Sequence, residues 1–424
     1  MLKVLWIVNI LFPEASALLG LDQPLKYSGG WLLGAANALR NTEGVQLAIA
    51  TPSSMVNKLE CLRGDGIAYY VFPLGKGNTK RNNTYRKFWR EIRDNFRPNI
   101  VHIHGTEMSH GLAYIEECGA EKVVVSIQGL ISVISDYYNS GLTNWDIISH
   151  ITVRDLLRRT LYGDQRQFQE RGILEKELLS KVHYVIGRTN WDYAHTHAMN
   201  PQVRYFACNE TLRQEYYTAD VWSYTKCTRH TIFLSQSSYP LKGLHMVLRA
   251  MPYVLKEFPD ATIRVAGEDI TRRDKNKVRQ LLRSGYGNLI LSEMKKYGLI
   301  DKVSFVGYLD ANEMIREYRN ANVFVCPSSM ENSPNSLGEA QLLGVPVVAS
   351  YVGGVPDMMR GNEENLYRFE EIEMLAANIC RVFKEKDNQG SMRKAALKRH
   401  DAKRNNDTLL EIYKTIVDAG ELRD

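Results

Sequence analysis

Short apolar runs recur along the chain, separated by stretches in which apolar residues return every three to four positions. The runs KVLWIVNI (3–10), VQLAIAT (45–51), IAYYVFPL (67–74), NIVHIHG (99–105), KVVVSIQGL (122–130) and KVHYVIGRT (181–189) predict strands. Amphipathic stretches of helical length lie between most of them, and that alternation predicts a parallel sheet with helices on both faces. A second series repeats the pattern: HTIFLSQ (230–236), TIRVAGE (262–268), KVSFVGYL (302–309), NVFVCPS (322–328) and PVVASYVGG (346–354). These are too many strands for one compact sheet. A polar break near 213–229 divides them, predicting a doubly wound α/β domain over 1–213, a linker over 214–229 and a second such domain over 230–424. The last helix of the chain is expected to pack back on the first domain. Ligands of such sheets bind outside the carboxyl ends of the strands, so residues just after each strand carry the most weight.

Composition narrows the choice. A chain of 424 residues with 44% hydrophobic and 24% charged residues has the apolar content of folded domains rather than of a disordered polymer. The formal charge of +6 suits an anionic ligand or an anionic membrane surface and selects neither. Cys61, Cys118, Cys208, Cys227, Cys326 and Cys380 show no paired spacing of the metal or redox type and read as reduced thiols. No Asp-x-Asp pair and no His or Cys cluster has ligand spacing, so no metal site and no cofactor are expected. The N-terminus, MLKVLWIVNILFPEASALLG, mimics a secretory signal, but one charge and Asn9 inside the apolar run favour a buried first strand. No segment has the length of apolar residues that spans a bilayer, and a cytoplasmic protein is expected.

The stretch ENSPNSLGEA (331–340) leaves the strand VFVCPS and enters a helix expected to stop at Gly344. Ser336-Leu337-Gly338-Glu339 fits a capping box, which would give Glu339 a purely structural role. The alternative is chemical: amides near Asn335, Ser336 and Leu337 would offer a phosphate site at the helix start. Glu331 and Glu339 would then accept hydrogen bonds from sugar hydroxyls.

These residues carry a family resemblance. The segment PSSMENSPNSLGEAQLLGVPVVASYVGGVPDMM (327–359) resembles the signature of the retaining glycosyltransferases of family 4, whose fold is GT-B: two facing Rossmann-like doubly wound domains with an interdomain cleft. Glu331 and Glu339 match its paired glutamates, and 344–349 and 353–356 continue the match. More weakly, Gly29-Gly30 resembles the family's N-terminal glycine loop, Leu241-Lys242-Gly243 its phosphate-binding lysine segment, and Phe305-Val306-Gly307 the turn near the nucleobase. The resemblance implies Glu331 at the transferred sugar, Glu339 at the ribose and Lys242 at the diphosphate of a nucleotide sugar. The chemistry agrees, since a departing nucleoside diphosphate builds charge that a lysine and helix amides stabilise.

Departures from the pattern matter. Many relatives carry an arginine five or six residues before the lysine, where this chain has Gln236 and Ser237. A histidine frequent after the fifth strand is replaced by Gln128, which cannot serve as a base at neutral pH. His104, after the fourth strand, is read as either cleft or core, with His102 in the core, and Arg188 as a further anion contact. For the acceptor, TYRKFWREIRDNFR (84–97) and ITVRDLLRRTLY (151–162) interleave apolar and basic positions. They read either as helices packed on a core or as surfaces for anionic lipid and a lipid-linked acceptor. The reading is a hexosyltransferase acting from a nucleotide sugar on a glycan or lipid-linked glycan in polysaccharide biosynthesis, with peripheral membrane contact at the inner face and no nucleic acid partner. A nucleotide-sugar epimerase or hydrolase of the same fold, or a non-catalytic sugar-nucleotide-binding subunit, are the alternatives.

Overall fold

The computed structural model describes residues 1–21, 30–75, 84–273, 280–386 and 390–421. The chain folds as two units: residues 1–133, 167–213 and 399–424 form unit 1, and residues 134–166 and 214–398 form unit 2.

Unit 1 is built on β1 (Leu2–Ile7), β2 (Val45–Ser53), β3 (Glu60–Arg63), β4 (Ile67–Pro73), β5 (Ile100–His104), β6 (Val123–Ser126), β7 (Tyr184–Gly187) and β8 (Arg204–Ala207). They lie in the order β3-β4-β2-β1-β5-β6-β7-β8, parallel except for the β3/β4 hairpin. Alternation along each strand feeds two cores. Leu5, Ile7, Val101 and Ile103 face one side, against the helix Tyr85–Phe96, while Val4, Trp6, Ile100 and Val124 face the other. That second face is covered by the helices Gly30–Arg40 and Ala402–Glu421, the latter supplying Leu409, Ile412, Tyr413 and Ile416.

The helix Tyr85–Phe96 settles one of the two readings made of it. Tyr85, Phe88, Trp89, Ile92 and Phe96 are all buried in the core. Arg86, Arg90 and Arg93 are paired with Glu116, Glu117 and Asp94. An aromatic face spent on the sheet is not available to lipid, and the lipid reading of 84–97 is set aside.

Unit 2 is built on β9 (Thr231–Leu234), β10 (Thr262–Val265), β11 (Val303–Phe305), β12 (Val323–Cys326), β13 (Val347–Ser350) and β14 (Leu366–Tyr367). The order is β11-β10-β9-β12-β13-β14, all parallel. Its core packs Ile232, Leu234, Ile263, Val265 and Val325 against the helices Leu244–Glu257 and Ile372–Lys384. Two segments join this unit unexpectedly. Residues 214–229, read as a linker, bury Tyr216, Trp222 and Cys227, and the Trp222 amide and indole donate to the Leu343 and Ala321 carbonyls at 2.7 Å each. Residues 134–166, read with the first domain, are held in unit 2 by Ser329 Oγ on the Tyr137 carbonyl at 2.8 Å and His245 Nε2 on the Ser140 carbonyl at 3.1 Å.

Candidate functional site

In unit 2 the strand order reverses between β9 and β12, and loops leaving the carboxyl ends at such a point frame the usual ligand crevice of an open parallel sheet. The loop after β9 ends in the short turn Pro240–Lys242, followed by Gly243 at φ 71° and the helix Leu244–Glu257. The loop after β12 runs to Pro334 and the helix Asn335–Leu343. Backbone stitches the two together, the Ser329 amide donating to the Leu241 carbonyl at 2.9 Å. A β-carbon on Gly243 would overlap the Pro327 carbonyl, so this close approach requires glycine.

The juxtaposition brings Lys242 Nζ to 2.6 Å from Glu331 Oε1, and Ser328 Oγ donates to the same oxygen at 2.7 Å. Both side chains are mostly covered, 17% and 15% exposed. Burial opposes the charge on Lys242, but the Glu331 carboxylate and the neighbouring Tyr239 outweigh it and hold the ammonium above its ordinary range. The backbone of Glu331 is fixed from the other side: its carbonyl accepts from the Gly354 amide at 3.0 Å, and Gly353, at φ 51°, has no room for a β-carbon against that carbonyl.

The capping box predicted for Ser336 and Glu339 does not form. Pro334 occupies the cap position, the helix starts at Asn335, and no side chain caps it. Pro334 favours extended backbone, which displaces the helix start by two residues from the serine. Ser336 therefore lies inside the helix, where its carbonyl accepts from the Tyr318 hydroxyl at 2.9 Å, and the same hydroxyl lies 3.5 Å from Glu339 Oε2. Glu339 is buried. A first turn at Asn335, Ser336 and Leu337 without a side-chain cap keeps the partial positive charge of a helix start, which favours an anion. Gly307, at φ 82°, pairs with Gly267, whose amide donates to the Gly307 carbonyl at 2.8 Å, and neither would meet a heavy atom at a β-carbon. The two missing-arginine positions differ, Gln236 being exposed and Ser237 buried.

In unit 1 Gly30 opens the helix Gly30–Arg40, and a β-carbon there would overlap the Arg213 side chain. Gly29 lies outside the described residues. Gln128 sits in the turn after β6, its buried Nε2 without a partner among the described residues. Arg188 was expected to contact an anion. Its guanidinium is instead engaged within the unit, donating to the Ile127 carbonyl at 2.6 Å and pairing with Glu210 at 2.5 Å, with the side chain 4% exposed. His104 is buried, stacked on His102 at 3.8 Å between centroids and edge-on to Trp6 at 4.4 Å. His102 is a core residue, bonded to Tyr413 and Ser126.

Sequence reasoning missed Glu175. This buried carboxylate accepts from the Ile131 amide at 3.1 Å, the Ser132 amide at 2.8 Å and the Thr106 hydroxyl, and so fixes the turn that carries Gln128. It sits mid-helix in Leu161–Lys181, with no motif to mark it. Of the two readings of 151–162, the structure leaves Val153, Leu156 and Leu157 65–81% exposed rather than packed on a core, and the neighbouring Trp145 and Ile148, 74% and 55% exposed, extend that surface without having been anticipated. Among the described residues no group of three or more His, Cys, Asp or Glu could hold a metal ion, and no helix is long and apolar enough to cross a membrane.

Residues 224–399 match the family model of glycosyl transferases group 1. A D-inositol 3-phosphate glycosyltransferase of Mycolicibacterium vanbaalenii is 30% identical over 126 residues, 28% of this chain and 26% of the relative. A phosphatidyl-myo-inositol mannosyltransferase of Mycobacterium leprae is 28% identical over 141 residues, 33% of each chain. The chain thus matches about a quarter to a third of the length of these curated relatives. Among solved structures, sucrose-phosphate synthase from Thermosynechococcus elongatus superposes with a TM-score of 0.70 at 16% identity, covering 99% of this chain and 100% of that one. Anabaena Alr3699/HepE in complex with UDP-glucose gives 0.65 at 14% identity, covering 98% and 100%. The fold is that of these GT-B proteins, two α/β domains with parallel sheets.

Proposed function

We propose that this chain, whose residues 224–399 match the glycosyl transferases group 1, is a retaining transferase of family 4 that moves a hexose from a nucleoside-diphosphate sugar to a glycan or lipid-linked glycan in polysaccharide biosynthesis. The observation that carries the reading is the Lys242–Glu331 pair at the sheet's switch point, beside a helix start that no side chain caps. Lys242 and the amides of Asn335 and Ser336 take the diphosphate, so charge developing on the leaving group meets fixed donors, while the Leu337 amide, expected to join them, donates to the Pro334 carbonyl at 3.0 Å. Glu331 meets the transferred sugar and Glu339 the ribose, with Gly307 beside the base. In unit 1, Gly30 offers backbone free of a side chain for close approach to a ligand. Gln128 and His104 serve as hydrogen-bonding groups on the acceptor side. Gln128 lacks a titratable proton at neutral pH, so the departing phosphate oxygen takes the acceptor proton. The UDP-glucose held by the Anabaena protein, of like fold, supports a nucleotide-sugar donor.

The acceptor reading rests on the apolar surface of residues 145–157. It sits beside Arg154, Arg158 and Arg159, which suits a protein working at the anionic inner face of a membrane on a lipid-linked acceptor. Calorimetry with a panel of nucleoside-diphosphate sugars tests the donor site: one donor should bind, and Lys242→Ala and Glu339→Ala should each weaken it at least tenfold while the protein stays folded. Unaltered affinity in both variants would remove the proposed donor site. Product anomer analysis by NMR tests retention, and binding without any product would favour the non-catalytic reading.

A further inference from the structure

The second face of the unit 1 sheet encloses a cavity of about 70 Å³ at the carboxyl ends of β1, β5, β6 and β7, where that sheet's order reverses between β1 and β5. It exists because the helix Gly30–Arg40 presents Gly34, Ala35 and Ala38 to the sheet in place of larger side chains. Trp6 and Trp31 wall it, with His104 between them at 4.4 and 5.8 Å from the two ring centroids. The lining is mainly apolar, yet it holds buried polar atoms that make no hydrogen bond among the described residues: both ring nitrogens of His104, Arg188 Nε and Glu210 Oε2. Each such atom is costly to leave unpaired in a native interior.

We propose that this cavity is a binding site for one ring of a small uncharged polyol, a monosaccharide or cyclitol, with its C–H face on the tryptophans and its hydroxyls on His104, Arg188 and Glu210. Size and charge both point there. A water needs roughly 10–15 Å³ of such volume, so the cavity replaces about five to seven waters, close to a single sugar ring. Arg188 and Glu210 neutralise each other at 2.5 Å, and burial keeps His104 well below its ordinary pKa and therefore uncharged. The walls offer no net charge to an anion. They do offer what hydroxyl groups need: an acceptor at Glu210, a donor at Arg188, and one of each on a neutral imidazole.

The test uses the full chain and the quenching of its tryptophan fluorescence, with calorimetry alongside, on glucose, mannose, galactose, myo-inositol and their phosphates. A saturable response to at least one neutral compound is expected, stronger than to its phosphate. His104→Phe keeps an aromatic ring without the nitrogens, and Ala35→Leu fills the space from the helix. Each should weaken binding tenfold or more with the melting temperature held within a few degrees. Two sources of the ring are separable: an acceptor sugar is consumed when a nucleotide sugar is added, whereas a free effector is recovered unchanged. No saturable binding of any neutral compound, preference for the phosphates, or full affinity in both folded variants would overturn the assignment. The donor-site reading in unit 2 would be untouched by that failure.

Discussion

Replacing Leu156 and Leu157 by aspartate should remove the protein from anionic vesicles. The two leucines are 73% and 81% exposed, so most of their side-chain surface is available to enter an interface. Burying a leucine is worth about 1.5–3 kcal/mol, and taking the low end for shallow insertion gives about 3 kcal/mol for the pair. That corresponds to roughly a hundredfold in partitioning, since each 1.4 kcal/mol is a factor of ten. The exposed Arg158 adds on the order of 1 kcal/mol against an anionic leaflet, and the half-exposed Arg159 adds less because it pairs with Asp164 at 3.7 Å. Asp155 does not offset them, being buried where it closes the cap on Thr152 and pairs with Arg154 at 3.3 Å. The two contributions separate by salt: the arginine part is screened at high ionic strength and the leucine part is not. Cosedimentation with phosphatidylserine-containing vesicles at low and high salt reads both. The double variant should lose about two orders of magnitude in binding with little change in melting temperature, because surface substitutions rarely cost more than about 0.5 kcal/mol. A parent protein that ignores vesicles at low salt, or one that self-associates through this face in sedimentation without lipid, would refute the reasoning.

Three further outcomes follow from the same geometry. Gly353→Ala should lower nucleotide-sugar affinity and cost about 1–2 kcal/mol of stability from left-handed backbone alone, since its new methyl also meets the Glu331 carbonyl; a variant of unchanged melting temperature and affinity would contradict the described turn. Burial holds His102 and His245 down at about 3 and His110 and His400 at about 4, so folded unit 1, with three of these, resists protonation that its unfolded chain accepts. Stability is then complete above the unfolded value near 6.5 and falls as pH drops, on the order of 2 kcal/mol per histidine by pH 5, and calorimetry should show unit 1 melting earlier between pH 7 and 5 while a flat transition would count against it. Because Lys242 and helix amides neutralise the diphosphate in the proposed mechanism, turnover should persist in excess EDTA; loss of activity that manganese restores would reject that assignment.

The strands of the sheet interiors were legible because both faces of each are buried, giving continuous apolar runs such as VLWI and VFVC. Those that escaped notice all lie at sheet edges. β3 carries Glu60 and Arg63 with every residue at least partly exposed, β8 alternates no buried position, and β14 has two residues. An edge strand pairs on one side only and is free to be polar, so periodicity does not mark it. Predicted strands also ran too long. KVVVSIQGL gives only Val123–Ser126, since Ile127 and Leu130 are buried by side-chain packing while Glu175 bonds the backbone that follows at Ile131 and Ser132. The assignment of 134–166 to unit 2 depends on side chains meeting backbone carbonyls about a hundred residues away, as His245 does with Ser140, which no local pattern records.

The candidate donor site divides the same way, between what one segment encodes and what the sheet brings together. Glu331, Asn335 and Glu339 fall within one stretch, so their spacing alone marks a loop entering a helix. The charge on Glu331 acquires its partner only because β9 and β12 are neighbours: Lys242 stands 89 residues earlier in the chain. Three glycine or serine positions then make that meeting possible. Gly243 lets the lysine turn press on the Pro327 carbonyl, Gly353 lets the β13 loop press on the Glu331 carbonyl, and Ser350 Oγ donates to the Ser328 carbonyl at 2.5 Å. Each contact holds backbone, so the carboxylate and ammonium are placed by a frame that does not depend on the ion pair itself. In the proposed donor site, exchanging the lysine's partner from Glu331 to a diphosphate would then require only a side-chain rotation, with the backbone frame that holds the Glu331 carboxylate left in place.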